Sequence, residues 1–327
     1  MRRAELEFGR FPSRYLPKVA VAALLLSACY PARFMAQQQG QKTFSSPEDA
    51  SKALVAATQS GDEKAMLAIL GPEGKRIVSS GDETEDTESR ANFVQKYQQM
   101  HRLLKEPDGT VTLYIGAEKW PTPIPLVNKG KLWYFDTEAG KKEILYRRIG
   151  RNELSAIRVC QELVAAEKEY YSTQHNEYAQ KIFSDEGQHN GLYWKAAEGE
   201  PESPIGPLVA WAVAREDAKS QGEGPVPYRG YFFHILKGQG ANSPGGAKSY
   251  IVDGKMTGGF AFVAFPAEYR SSGVMTFIVN EDGVVYQKDL GQKSYVLARA
   301  IKEYNRDASW QKAEEQQEQT ASEQETK

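Results

Sequence analysis

Histidine and cysteine are the scarce residues of this chain. Of 327 residues, four are His and two are Cys. Two cysteines exclude a disulfide-built scaffold and a Cys-rich zinc site. Four histidines leave few ways to assemble a metal centre or a catalytic triad. A strong excess of one charge is missing as well. Lys and Arg number 41 against 43 Asp and Glu, a net charge of -2. That balance argues against a nucleic-acid binder held by bulk electrostatics. No Gly-x-Ser-x-Gly elbow, His-Glu-x-x-His helix, P-loop or Cys pair occurs, and no cofactor is expected. Gly238-Gln239-Gly240-Ala241 opens like a dinucleotide fingerprint but lacks the third Gly and a following helix.

What is present suffices for a folded protein. Apolar residues make up 40% and aromatics 11% of the chain, enough to bury a core. The length suggests about two domains at roughly 150 residues each.

The N-terminus reads as an export signal. Arg2, Arg3, Arg10, Arg14 and Lys18 precede Val19–Ala28, an unbroken run of small and apolar residues. The run is too short to span a bilayer and fits a signal-peptide core. It ends in Leu26-Ser27-Ala28-Cys29, which resembles a bacterial lipobox; there the Cys29 thiol would form a thioether to diacylglycerol and anchor the chain to a membrane. The alternative is an ordinary secretory signal cleaved before Gln37, with Cys29 lost. Glu5 and Glu7 in the long lead-in leave room for a start codon further downstream. Residues 1–28 carry five basic and two acidic side chains, so removing them leaves 36 against 41, a net of -5. The expected location is the periplasm, the outer membrane or the medium.

Residues 29–43 read as a flexible tether. Residues 44–137 read as an α+β domain. Ser46-Pro47-Glu48-Asp49 is a helix start, with Ser as N-cap and Pro at the first helical position. Asp62 caps a second helix. Phe93, Val94, Tyr97, Met100 and Leu104 predict a third helix over about 88–104. Strands follow at 110–115, 124–127 and 132–135, the last two flanking the hairpin signal Asn128-Lys129-Gly130. The order is similar to the cone-shaped folds of the nuclear transport factor and ketosteroid isomerase type.

Apolar residues recur at helical spacing over 138–172, which predicts one long helix, or two broken near Gly150, connecting the domains. Residues 173–310 read as a second α+β domain. It holds a long loop, a short helix near 207–217, strands at 231–236, 260–265, 275–279 and 284–288, and a last helix over 294–304. Residues 311–327 have no apolar side chain beyond Ala and are expected to be disordered.

Helix 153–172 followed by a strand meander resembles the soluble part of type IV pilin-like and pseudopilin proteins. The carrying residues are Ala156-Ile157-Arg158, Glu169-Tyr170-Tyr171, Gly230-Tyr231-Phe232-Phe233 and Gly273 to Val279. Pilins begin with their own apolar helix, whereas about 120 mature residues precede this amphipathic one. A polymerising pilin subunit is therefore not expected. From about Phe44 to Trp310 the chain resembles the bacterial domain-of-unknown-function family 2950. The resemblance rests on Gly71-Pro72-Glu73-Gly74, Trp120 to Val127, Phe135-Asp136-Thr137, Arg147 to Glu153, Gly191-Leu192-Tyr193-Trp194, Pro204 to Leu208 and the block Gly258 to Gly291. It implies an envelope or secreted protein and supplies no activity.

Candidate chemistry is sparse. Cys160 sits among Val159 and Leu163 and reads as a core thiol. The acidic run Asp82 to Glu88 lacks EF-hand spacing and reads as a helix N-terminus. His175, His189 and His234 could meet Asp185 or Glu186 around a metal, but no spacing demands it, and no metal site is assigned. Arg147, Arg148 and Arg151 form the densest polar cluster, an anion or partner site on one reading and interdomain ion pairs with Glu138, Glu143 or Glu153 on the other. Trp120, Trp133, Tyr134, Tyr193 and Trp194 could line a pocket or belong to the core. The turn-rich loop from Gly187 to Gly206, with Tyr193-Trp194, is the first candidate recognition surface.

The expectation is a two-domain α+β envelope protein that binds or scaffolds an envelope partner without catalysis. The alternative is a small-molecule-binding protein or hydrolase built on a cavity in the first domain.

Overall fold

The computed structural model describes residues 40–79, 83–173, 176–196, 201–206 and 227–313. The signal segment, Cys29, His175, Asp82 of the acidic run and the helix expected near 207–217 lie outside the described residues. The chain is α+β, with helices and antiparallel sheets. It divides into two compact units at Leu145/Tyr146.

In the first unit, α1 (Pro47–Gln59) starts as its sequence dictates. Ser46 Oγ accepts from the Asp49 N–H at 3.0 Å, and Pro47 fills the position where a missing N–H costs nothing. Asp62 caps α2 (Glu63–Leu70) through the Ala65 N–H at 2.9 Å. A short α3 (Lys75–Val78) precedes α4 (Glu83–Gln99).

The third helix was expected to reach Leu104, and here the structure corrects the sequence. Residues His101–Lys105 form strand β1, paired with β2 (Val111–Ile115) over five residues. Leu103 and Leu104 do continue the helical spacing. The turn at Pro107-Asp108-Gly109 nevertheless folds the chain back on itself, with Asp108 Oδ1 accepting from the Thr110 N–H at 3.0 Å. A ladder of tertiary hydrogen bonds outweighs a local helical preference of a few tenths of a kcal/mol per residue, on the order of 0.5. Strands β3 (Trp120–Pro121), β4 (Leu126–Lys129) and β5 (Leu132–Phe135) complete the sheet, in the order β1-β2-β4-β5 with β3 on β2.

Val111, Leu126 and Phe135 pack against Ala50, Met66, Ile69 and Leu70. Leu113 and Ile115 pack against Val55 and Tyr97, with Trp120 at the margin. The tether expected over 29–43 ends earlier than residue 43. Gln41 is buried, its Nε2 donating to Ile69 O at 3.0 Å and Phe135 O at 2.8 Å.

Helix α5 (Thr137–Thr173) is a single helix, unbroken at Gly150. Asp136 caps it by accepting from the Ala139 N–H at 3.0 Å.

In the second unit the strands are β6 (Tyr231–Leu236), the short β7 (Gly238–Gln239), β8 (Lys248–Ser249), β9 (Ile251–Val252) and β10 (Lys255–Met256), then β11 (Ala261–Pro266), β12 (Met275–Asn280) and β13 (Tyr286–Asp289). Helix α6 (Ser294–Arg299) and β14 (Gln311–Lys312) close the unit. The main sheet is antiparallel in the order β14-β13-β12-β11-β6. Every residue of β11 is buried, which explains its continuous apolar run rather than alternation. Ala156, Cys160, Leu163 and Val164 of α5 join the same core as Phe262, Phe277 and Val279.

Two ends differ from expectation. The last helix stops at Arg299 rather than Tyr304, because the Tyr304 backbone pairs with β7: its N–H donates to Gly238 O at 2.9 Å and its C=O accepts from Gly240 N at 3.0 Å. Residues 311–313, expected to be disordered, include β14, paired with Tyr286 and Gln287, and a buried Ala313. The rest of the expected tail lies outside the described residues.

Candidate functional site

The most elaborated polar site lies in the second unit, around the loop that joins β11 to β12. This loop runs from Ala267 to Val274 and is pinned from below by two consecutive residues of α5. Asn152 Nδ2 donates to Ser272 O at 2.8 Å. Glu153 Oε1 accepts from the N–H groups of Val274 at 2.8 Å and Met275 at 3.0 Å. Gly273 is required here, since a Cβ would sit 2.2 Å from the Tyr231 hydroxyl oxygen. That hydroxyl donates to Met275 O at 2.8 Å.

Glu153 is largely withdrawn from water, and burial pushes its carboxyl above the ordinary carboxylate value. The two backbone amides pull it back, and the charge of Asp289 adds to the rise. Burial and the neighbouring Glu153 likewise hold the Tyr231 phenol well above its usual range.

Above this anchor the loop is self-bonded, with Arg270 N donating to Gly273 O at 2.7 Å. Arg270 itself is left-handed, φ 62°, a conformation costing a non-Gly residue about 1 kcal/mol. Tyr269 donates to Asp289 Oδ2 at 3.0 Å, and Asp289 Oδ1 accepts from the Gly291 N–H at 2.7 Å. Tyr269, Arg270 and Gln292 line a depression of about 420 Å³. Among the described residues no carboxylate pairs with the Arg270 guanidinium, which lies 5.4 Å over the Tyr269 ring. The arrangement presents the Arg270 guanidinium from this turn and the Gln292 amide from the segment after β13 to solvent. It can bind an anion or a hydrogen-bonding group.

A family model described as a protein of unknown function, DUF2950, matches residues 41–313. The chain belongs to the DUF2950 family. No curated protein and no solved structure matches it.

In this DUF2950 chain the residues singled out from sequence are distributed as follows. Arg148 and Arg151 are exposed on α5, and Arg147 is half-buried there. Of the suggested partners Glu138, Glu143 and Glu153, Glu138 bonds Lys141 at 3.1 Å and Glu153 holds the β11–β12 loop. Trp120 is partly buried and packs against the margin of the first unit's core. Trp194 is buried, stacked on His189 at 4.3 Å, and donates from Nε1 to Pro201 O at 2.9 Å. Tyr193 meets Phe183 edge-on at 5.4 Å. The described part of the Gly187–Gly206 loop thus turns its aromatic rings inward. His234 Nε2 lies 3.2 Å from Ile301 O, and His101 stacks on Tyr97. Among the described residues no group of three or more His, Cys, Asp or Glu could hold a metal. Asp185 pairs instead with Lys181 at 2.5 Å and Asn190 at 2.8 Å. Cys160 is fully buried, and desolvation pushes its thiol up to about 12.

Gly238-Gln239-Gly240 is strand β7 running into a structural turn rather than a phosphate loop. The buried Gln239 Nε2 donates to Pro244 O at 2.8 Å and Gly246 O at 2.7 Å.

Two residues escaped the sequence reading in their actual roles, Glu153 and Glu167. Glu167 is fully buried, its Oε2 accepting from the Ala179 N–H at 2.8 Å, and burial holds its carboxyl well above the usual range. Both sit where the period of α5 demands an apolar side chain: Glu153 four residues after Ile149 and before Ile157, Glu167 between Leu163 and Tyr170. An acid on a buried helical stripe was the available signal.

Proposed function

We propose that this DUF2950 protein is an exported envelope protein that works by binding or scaffolding rather than by catalysis. The basic lead-in, apolar run and lipobox-like Leu26-Ser27-Ala28-Cys29 support export, with anchoring through Cys29. One observation carries the non-catalytic reading: among the described residues, the thiol, the two buried acids of α5 and three histidines are spent on structure. Cys160 is desolvated, Glu153 and Glu167 hold backbone amides, and His101, His189 and His234 are stacked or bonded. The alternative, a ligand cavity in the first unit, has to contend with an interior filled by Leu113, Ile115, Leu126 and Phe135. The partner surface we favour is the Arg270 loop rather than Tyr193-Trp194, because its polar groups face outward.

Labelling cells with a radiolabelled fatty acid tests the anchored form. Label on the wild type that disappears in Cys29→Ala supports it, and an unlabelled wild type sinks it. Fractionation of the same cells tests export separately: a protein confined to the cytoplasm overturns the envelope reading altogether.

A further inference from the structure

Residues 177–180 form a strap between the second half of α5 and the β9–β10 hairpin. Its polar contacts to the hairpin are threefold. Tyr178 N donates to Met256 O at 2.8 Å, Gln180 Nε2 donates to Gly254 O at 2.8 Å, and Lys255 Nζ lies 3.5 Å from Glu177 Oε1. Tyr178 also packs against Tyr171 of α5 at 4.6 Å and Phe260 at 4.8 Å. Among the described residues, one hydrogen bond ties the strap to α5: Glu167 Oε2 accepts from the Ala179 N–H at 2.8 Å. Glu167 and Ala179 are both fully buried. The other oxygen of Glu167, Oε1, is buried with no hydrogen-bond partner among the described residues. A neutral carboxyl tolerates that position far better than a carboxylate, whose charge would have one oxygen without water or donor.

The surroundings bring no compensating cation. Tyr170 of α5 and Tyr178 of the strap lie within reach of the carboxyl, and burial holds both phenols above their ordinary value, so both stay neutral. Lys255 is paired with Glu177, and Lys181, next along the chain, is paired with Asp185 at 2.5 Å. Glu281, from the turn after β12, acts on Tyr178 and adds only negative charge. Lys168 and Glu169 are exposed on α5. Burial therefore holds the Glu167 carboxyl well above the usual range, with the Ala179 amide alone pulling it down.

We propose that Glu167 is a proton-dependent latch, which closes the strap onto α5 while its carboxyl is neutral and releases it when the carboxyl ionises. Water reaches Oε1 once Ala179 lifts away, and lifting also separates Tyr178 from Tyr171. In the open strap Glu167 is hydrated and titrates near the ordinary 4.5, whereas the closed strap keeps its proton to higher pH. The opening constant is therefore fixed below about pH 4.5, rises about ten-fold per pH unit above it, and levels off once the closed carboxyl ionises too. The latch goes beyond the binding role above and does not depend on export or on Cys29.

Hydrogen exchange of the full chain, read by mass spectrometry and corrected for the intrinsic pH dependence of amide exchange, tests the latch across the acidic to neutral range. The peptide spanning 176–182 should lose protection by about ten-fold per pH unit until the plateau. At every pH it should open about 100-fold more often than β11, which reports unfolding of the whole unit. Glu167→Gln keeps an acceptor for the Ala179 amide and cannot ionise, so its strap protection should be flat over the same range. Lys255→Gln removes the Glu177 pair and should lower strap protection by about three-fold at every pH, with the slope intact. Wild-type strap protection that ignores pH overturns the proposal, as does a slope that survives Glu167→Gln. So does a strap that opens with the same constant as β11, a comparison that needs only the wild type and holds even where Glu167→Gln does not fold.

Discussion

Two loops of the second unit solve the same problem in different ways. The turn from Gly238 to Gly246 is held from inside by the neutral amide of Gln239, which bonds two of its carbonyls and accepts from the Tyr250 hydroxyl at 3.2 Å. Its neighbours are closed as well: Ser243 donates to Tyr304 O at 2.6 Å and Asn242 N donates to Asn305 Oδ1 at 3.0 Å. The Ala267–Val274 loop is held from below by an ionisable carboxylate and leaves an arginine outside. A neutral anchor gives a loop indifferent to its surroundings. A charged anchor beneath a displayed cation gives one that answers to pH and to ligands.

The largest expected effects test whether the two loops differ in rigidity. Gly273→Ala drives a methyl into the fully buried Tyr231 and should cost about 3 kcal/mol. Gly246→Ala meets open space and only its positive φ of 75°, so about 1 kcal/mol is expected. Thermal melts of the pair read the contrast; equal losses would refute a tighter Arg270 loop. Next come the anchors. Glu153→Ala strands two amide donors and should cost about 2–3 kcal/mol, against about 2 for Gln239→Ala. Urea midpoints measure both.

The anchors part company with pH. The folded state holds the Glu153 proton more tightly than the unfolded chain, whose carboxyl titrates near the ordinary 4.5. The stability this contributes is complete below about pH 4.5 and declines as pH rises through the folded value. Glu167 acts in the same direction. Glu153→Gln should flatten part of the decline, whereas Gln239→Ala should leave its slope unchanged, as urea titrations across the acidic range would show. The smallest effect is a gain. Arg270→Gly relieves a left-handed residue and should stabilise the fold by about 0.5–1 kcal/mol, read as a raised melting temperature.

Where local rules govern, the sequence was legible. Ser46 and Asp62 cap the helices expected of them, and β6 spans the strand read from Tyr231 to Leu236. Local pattern failed where long-range pairing decided. Leu103 and Leu104 fit a helical stripe yet lie in β1, and Tyr304 fits α6 yet serves β7. The site was half-legible. Arg147 to Glu153 is legible as a polar cluster, but Asn152 and Glu153, not the arginines, do the anchoring. Arg270 leaves no mark in the sequence, because its turn closes on Gly273, which fits beneath Tyr231, a contact between a loop and a strand far apart in the chain.

The burial of Cys160 gives the protein a clock. A thiol that titrates near 12 and touches no solvent reacts with an alkylating reagent only when α5 leaves the sheet. In a chain whose Cys29 is acylated or replaced, the rate of alkylation at this one sulfur therefore counts openings of the second unit's core. It does so in intact cells, without purification. Every substitution above can be ranked by how fast it lets the reagent in.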